Sequence, residues 1–268
     1  MADVDEKYIV PTAHSPDYAQ KMLTLLGKTK PDFLHLQHDY EVRAISRLRH
    51  SVQALGVKLY FPSEQAVEDC VNKELSYVIW QRNGVRVPKT ILINEPADLK
   101  NAFATLGEKI WLRAIEGGGG FGALPTDDFD FAKNWIERFN GWGRFTAAEL
   151  LSSQTITWQS IWYQGELVVA QTRRRRSWNF GDRTLSGVTG ITGVGETCSI
   201  DHVDQLAMDA IFAISKEPHG IFCVDMTYDF AGLPNVTEIN IGRFFTTHYF
   251  FTQAGLNFPA YPVTVQKH

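Results

Sequence analysis

Trp111-Leu112-Arg113-Ala114-Ile115-Glu116-Gly117-Gly118-Gly119-Gly120-Phe121-Gly122 is the stretch whose reading decides the fold. An apolar strand carrying one cation runs straight into five glycines. Without a Cβ, glycine lets backbone N–H groups crowd an anion and lets a loop close over a ligand. The stretch therefore reads as the strand and lid of a nucleotide-phosphate site. The complementary half lies far downstream, in Asp225, in Glu238-Ile239-Asn240 and in Arg243. Oxygen ligands of this kind suit magnesium, and an arginine suits a phosphoryl group.

The totals narrow the field. A chain of 268 residues allows one large domain or two to three small lobes. A hydrophobic content of 44% suffices for a core. The formal net charge of −4 argues against a nucleic-acid binder working by bulk charge. No run of about 18 apolar residues is present, so no membrane span is expected. The opening Met1-Ala2-Asp3-Val4-Asp5-Glu6 is acidic, unlike a secretory signal. Cys70, Cys198 and Cys223 fall in no metal or redox spacing. Reduced, packed thiols in a cytoplasmic protein are the simplest expectation.

Residues 8–65 alternate strands and helices. Strands are expected at Tyr8-Ile9-Val10, Phe33-Leu34-His35-Leu36-Gln37 and Val57-Lys58-Leu59-Tyr60-Phe61. Between them lie a helix opened by Ser15 and Pro16 and a second helix. Asp39 caps the second and Gly56 ends it, with Val42, Ile45, Leu48, Val52 and Leu55 inward. This βαβ rhythm implies a parallel sheet, without a glycine-rich turn for a dinucleotide. Ser63 and Asn72 cap the next helical segments; Pro88 opens a strand, and Pro96 to Gly107 frames another helix. Residues 128–139 form an amphipathic helix with Phe131, Trp135 and Phe139 toward the core. From Arg144 onward long antiparallel strands take over. Gln164-Gly165 joins two of them as a hairpin, and residues 177–197 read as a glycine-rich loop region. A helix at 203–214, strands at 221–228 and 236–241 and a short aromatic helix near 248–254 complete the chain.

Residues 238 and 240 differ by two, so both side chains leave one face of a strand, and the partner strand can place Asp225 beside them. The alternative is a solvated sheet face, but the flanking Phe222, Val224 and Ile239 make an unpaired charge there costly. Arg113 interrupts an apolar strand and needs a partner, either a nucleotide phosphate or a local carboxylate such as Glu116. Residues 173–176 are four consecutive arginines. On a strand one pair faces the site and the other water, or the run is a solvated face; the functional reading is neutralisation of a phosphate or of a carboxylate substrate.

These motifs, in this order, resemble the ATP-grasp superfamily, closest to its branch similar to the large subunit of carbamoyl phosphate synthase. The likeness runs from about residue 33 to about residue 258. It is carried by Asn72-Lys73, by Gly84-Val85-Arg86-Val87-Pro88-Lys89-Thr90, by Arg113 with its glycine loop, by Glu149, by the hairpin at Gly165, by Asp225, and by Glu238-Ile239-Asn240 with Arg243. The resemblance implies two α+β lobes clasping ATP, preceded by a short, truncated Rossmann-like region. The divisions it implies are residues 1–65 for that region, 66–147 for the small lobe with its lid, and 148–268 for the metal-bearing lobe.

By position, the resemblance implies that Lys73 and Arg113 contact the α- and β-phosphates. Gly117, Gly118, Gly119, Gly120 and Gly122 form the lid, and Glu149, Leu150 and Leu151 form the hinge that holds adenine. Asp225, Glu238 and Asn240 hold Mg2+ (or Mn2+), and Arg243 stabilises the transferring phosphoryl group. The reaction implied is activation of a small carboxylate as an acyl phosphate for attack by an amine. Thr155 stands where the family has an acidic ribose contact. Asn240-Ile241-Gly242-Arg243 is one residue longer than the family's Asn-Pro-Arg. With the short N-terminal region, these departures leave open a homodimer, a partner subunit, or a non-catalytic ATP-binding role. His248, Tyr249 and the loop near 184–192 are further candidate substrate contacts.

Overall fold

The structure is a computed structural model that describes residues 4–265. Met1, Ala2 and Asp3 of the acidic opening lie outside the described residues. The chain begins its regular structure with α1 (Tyr18–Thr29), β1 (Phe33–Leu34), α2 (Asp39–Arg47), α3 (Arg49–Ala54) and β2 (Lys58–Leu59). β1 and β2 pair in parallel, which gives one βαβ unit in place of a doubly wound half. The strand expected at residues 8–10 does not form. Tyr8 and Ile9 are both exposed, so those residues have no apolar face to pack.

The single helix expected over 39–55 is two. It breaks at Leu48, whose φ of −96° and ψ of 6° leave the helical region. Its N-cap is His38 rather than Asp39: the His38 Nδ1 accepts from the Tyr40 N–H at 3.3 Å. Asp39 thereby keeps its carboxylate free for a distant partner. α4 (Glu64–Val71) and α5 (Lys73–Arg82) follow, capped as expected by the Ser63 hydroxyl and the Asn72 amide oxygen.

A four-stranded antiparallel sheet comes next, in the order β3-β6-β4-β5. Its elements are β3 (Thr90–Ile93), α6 (Pro96–Leu106), β4 (Ile110–Ala114), β5 (Leu124–Thr126), α7 (Phe129–Arg138) and β6 (Phe145–Glu149). Leu99, Leu112, Ile136 and Phe145 anchor its core. On α7 the inward side is Ala132 and Ile136, while Phe131 is 43% exposed, against expectation. Trp135 and Phe139 are partly buried and turn toward the lid. The Trp135 indole donates to the Gly122 carbonyl at 3.0 Å, and Phe139 meets Phe121 edge-on. The aromatic stripe thus supports the glycine loop more than it fills the centre.

The second large sheet has five antiparallel strands, ordered β11-β10-β7-β8-β9. It comprises β7 (Thr155–Tyr163), β8 (Glu166–Trp178), β9 (Thr192–Cys198), β10 (Gly220–Tyr228) and β11 (Pro234–Ile241), with α8 (Asp201–Ile214) between β9 and β10. α9 (Tyr249–Gln253) and α10 (Ala260–Val265) close the chain. Gln164 and Gly165 carry φ values of 49° and 88°, the left-handed pair a two-residue hairpin demands. β9 forms within what reads from sequence as loop, because Thr192, Val194, Glu196 and Cys198 pair along the rim of β8 despite their glycines.

One face of this sheet, with Ile156, Trp158, Val224 and Ile239, shares a core with Val42, Val52, Trp80 and Ile211 of the surrounding helices. The Trp80 indole donates to the Ala210 carbonyl at 3.0 Å and ties α5 to α8. Strand alternation sends the intervening residues to the other face, toward the four-stranded sheet. Among the described residues no helix is long and apolar enough to cross a membrane.

Candidate active site

Register explains which side chains meet. Across the five-stranded sheet, Arg173 pairs with Thr157, Thr157 with Asp225, and Asp225 with Glu238. The next rung on the same face runs through Gln159 and Cys223 to Asn240. Asp225, Glu238 and Asn240 therefore stand together on one polar face, as their spacing predicts. Asp225 is held at both oxygens, by the Thr157 hydroxyl and by the Asn240 amide at 2.9 Å.

The opposing wall comes from β4 and the start of α5. The Arg113 Nη2 donates to the Thr237 carbonyl at 2.9 Å, and its Nη1 lies 4.0 Å from Glu238. Lys73 Nζ lies 3.8 Å from the same Glu238 oxygen and donates to the Gly117 carbonyl at 2.6 Å. So the early basic strand and the late acidic hairpin do face each other across a crevice. Glu116 is not Arg113's partner; it pairs with Arg43 at 3.2 Å. Burial depresses the pKa of Lys73 and of Arg113, with Glu238 opposing it in both cases. Two cations sharing one carboxylate, in a place that disfavours charge, are poised for an anion.

Between these walls lies a cavity of about 430 Å³. Lys73, Arg113, Glu149, Leu150, Leu151 and Thr155 all line it, together with Gly117, Gly118, Gly119 and Gly120. Gly122 does not. It sits at the base of the lid, where a Cβ would come within 2.8 Å of the Phe145 ring. The Glu149 carboxylate accepts the Lys89 N–H at 2.8 Å, so this residue ties the end of β6 to the chain entering β3. Gly120, at φ +78°, brings the glycine loop against the segment before β9: a Cβ there would stand 2.8 Å from the Val188 carbonyl oxygen.

A second cavity, about 490 Å³, opens on the far side of Asp225 and Glu238 and contains Asn240 and Arg243. Arg243 is gripped by Asp39 through Nε, and through Nη2 at 3.0 Å; Nη2 also reaches Asn240 Oδ1 at 2.5 Å. Burial works against the Arg243 charge, but the hydrogen bonds and charge of Asp39 outweigh it and raise the pKa. Asp39 was legible only as a helix-start residue, because its partner lies 204 positions away.

The four arginines of β8 divide as alternation requires. Arg174 and Arg176 pair with Glu196 on the outer side. Arg173 and Arg175 face the site: Arg173 is bonded to the hydroxyls of Thr157 at 2.7 Å and Thr247 at 2.6 Å, and Arg175 to those of Thr155 at 2.7 Å and Thr192 at 2.9 Å. His248 packs its ring on Phe244, 5.1 Å between centroids, and lines neither cavity, nor does Tyr249.

The donor set fits a hard divalent cation. Two carboxylates and an amide oxygen share one face, without sulfur or imidazole. Among the described residues no cluster of three or more His, Cys, Asp or Glu side chains forms a rival metal site. Lys73, Arg113 and the glycine backbone fit a polyphosphate, and the hinge-lined cavity has the size of a ligand pocket.

The sequence matches no protein-family profile and no curated relative. Solved structures do resemble the fold. Biotin carboxylase from Campylobacter jejuni, in complex with β,γ-ATP, superposes with a TM-score of 0.74 at 15% identity, covering 91% of this chain and 56% of that one. The biotin carboxylase domain dimer of the Hydrogenobacter thermophilus 2-oxoglutarate carboxylase, with MgADP and bicarbonate, gives 0.72 at 16% identity over 91% and 56%. An L-amino acid ligase from Bacillus licheniformis gives 0.67 at 15% identity over 90% and 56%. The chain thus spans a little over half the length of these proteins. The architecture they share with it is the ATP-grasp fold.

Proposed function

We propose that the protein is a magnesium- and ATP-dependent ligase that activates a small carboxylate as an acyl phosphate and joins it to an amine. The observation that carries this reading is the facing of Lys73 and Arg113 onto Glu238, with Asp225 and Asn240 beside it and the glycine lid above. The relatives in fold support the same reading: two are biotin carboxylases solved with adenine nucleotides, and a third is named an L-amino acid ligase.

In this proposal Asp225, Glu238 and Asn240 hold the metal. Lys73 and Arg113 neutralise the α- and β-phosphates, and Glu149, Leu150 and Leu151 hold adenine, largely by backbone groups. Thr155 stands at the ribose. Bound Mg-ATP supplies the γ-phosphoryl group to a carboxylate oxygen, the new P–O bond forming as the bond to ADP breaks. Arg243 then stabilises the equatorial oxygens in flight, pre-aimed by Asp39. The backbone of residues 117–120 closes against the Val188 segment and excludes water, protecting the acyl phosphate until an amine nitrogen attacks the acyl carbon and phosphate leaves.

The test is ADP release over a panel of acids and amines, with Asp225→Ala and Glu238→Ala compared with the parent. Loss of turnover in both variants is expected. Full activity in either would remove the metal assignment.

A further inference from the structure

The cavity beyond the metal carboxylates holds two arginines that make no salt bridge among the described residues; Asp225 acts on both only from a distance, reaching Arg173 through the Thr157 hydroxyl. Arg173 is 1% exposed, yet among the described residues no carboxylate forms a salt bridge with it. Its two terminal nitrogens go to threonine hydroxyls, its plane stacks on Phe245 at 4.2 Å, and its Nε is buried without any hydrogen-bond partner. Arg175 is built the same way, between two threonine hydroxyls and the Trp178 ring at 3.6 Å. Hydroxyls and rings fix a guanidinium in place without cancelling its charge. Burial, and then the neighbouring Arg175, lower the Arg173 pKa to about 10, outweighing the attraction of Asp225. A buried cation without a salt bridge, with a second partly buried one beside it, is costly unless a ligand brings an anion to them.

The other cations of the site are answered. Arg243 has Asp39; Lys73 and Arg113 have Glu238 and line the nucleotide cavity. Arg175 lines both cavities, whereas Arg173 lines only the second. The reacting carboxylate must lie where the two cavities join, beside Asp225, Glu238 and Arg243. Arg173 is then left for a different negative group.

Resting on the ligase reading above, we infer that the acid accepted by this cavity carries two negative groups, a small dicarboxylate, with the carboxylate that does not react seated on Arg173 and flanked by Arg175. The planar fork of an arginine suits such a carboxylate, and a volume of about 490 Å³ accommodates a short diacid with room for the amine.

Isothermal titration of the chain saturated with magnesium and a non-hydrolysable ATP analogue tests this. The probes are succinate and glutarate against succinamate and butyrate. The diacids are expected to bind at least about tenfold more tightly than the mono-anions, as loss of one buried ionic contact implies. Arg173→Gln should erase that preference while leaving affinity for the analogue within about twofold. Arg174→Gln, on the outer side, should keep the preference. Equal affinity for diacids and mono-anions, no binding of any probe, or a preference that survives Arg173→Gln overturns the inference. Should Arg173→Gln fail to fold, the parent protein's contrast between succinate and succinamate decides alone. Absence of analogue binding overturns the ligase reading and this inference with it; analogue binding without discrimination overturns only this inference.

Discussion

Replacing Glu238 by Gln perturbs the crevice at its most shared atom. One Glu238 oxygen lies 3.8 Å from Lys73 and 4.0 Å from Arg113. At an effective dielectric of roughly 20 each contact is worth about 4 kcal/mol, and in water about 1 kcal/mol. The side chains are 12%, 18% and 30% exposed, and both separations lie at the outer limit of an ion pair, so solvent screening governs. A net loss of about 1–2 kcal/mol in the nucleotide-free protein is the result, or roughly 2–8 °C in Tm for a chain of this size.

The response to nucleotide should change in kind. For the parent protein, Mg-ATP at about 100 times its Kd adds about 2.7 kcal/mol of stability. ATP with EDTA should do less, because Asp225 and Glu238 then face the phosphates without a metal. In Glu238→Gln the phosphates meet two cations freed of their carboxylate, so ATP stabilises with or without magnesium. Thermal denaturation in four conditions, with and without ATP and with Mg2+ or EDTA, reads this out. An unchanged nucleotide-free Tm together with a full magnesium-dependent shift would refute the electrostatics argued here.

Three further outcomes follow from the geometry. Asp39→Asn should lower kcat by about 10–100-fold, less than the roughly 10²–10³-fold for removing a charge-stabilising donor itself, because Arg243 stays but is no longer aimed, while the Kd for Mg-ATP stays put and Asp39→Glu recovers part of the loss; an unchanged kcat would detach Asp39 from Arg243. Gly120→Val should cost roughly 1–3 kcal/mol through a β-branched residue at positive φ, and should weaken nucleotide binding because the new Cβ meets the Val188 carbonyl; calorimetry on the variant checks both. Lys73 carries a pKa lowered by burial, so an arriving phosphate raises it and binding takes up a proton. ATP affinity should therefore fall as pH rises toward the ordinary lysine value of 10.5, and Lys73→Gln should flatten that dependence in titrations at several alkaline pH values.

What could be read from sequence was whatever depends on period or order. Strand alternation alone put Glu238 and Asn240 on one face, and it divided residues 173–176 into an inner and an outer pair. The hairpin at Gln164-Gly165 and the caps at Ser63 and Asn72 are local chemistry and appear where expected. Contacts between distant segments had no such signal. The grip of Asp39 on Arg243 depends on His38 taking the cap, which the residue types at a helix start do not reveal. The aromatic stripe of α7 kept its spacing but turned partly toward the glycine loop, while Ala132 and Ile136 take the buried side of the helix. The strand at residues 8–10 failed because β propensity without a neighbouring edge stabilises nothing.

The most direct measurement is a crystal structure with a non-hydrolysable ATP analogue and Mn2+, with the metal located by anomalous scattering. The account places the anomalous peak among Asp225, Glu238 and Asn240, and the analogue's phosphates between Lys73, Arg113 and the backbone of residues 117–120. A manganese peak away from those three side chains, or an analogue bound outside the crevice, would contradict it.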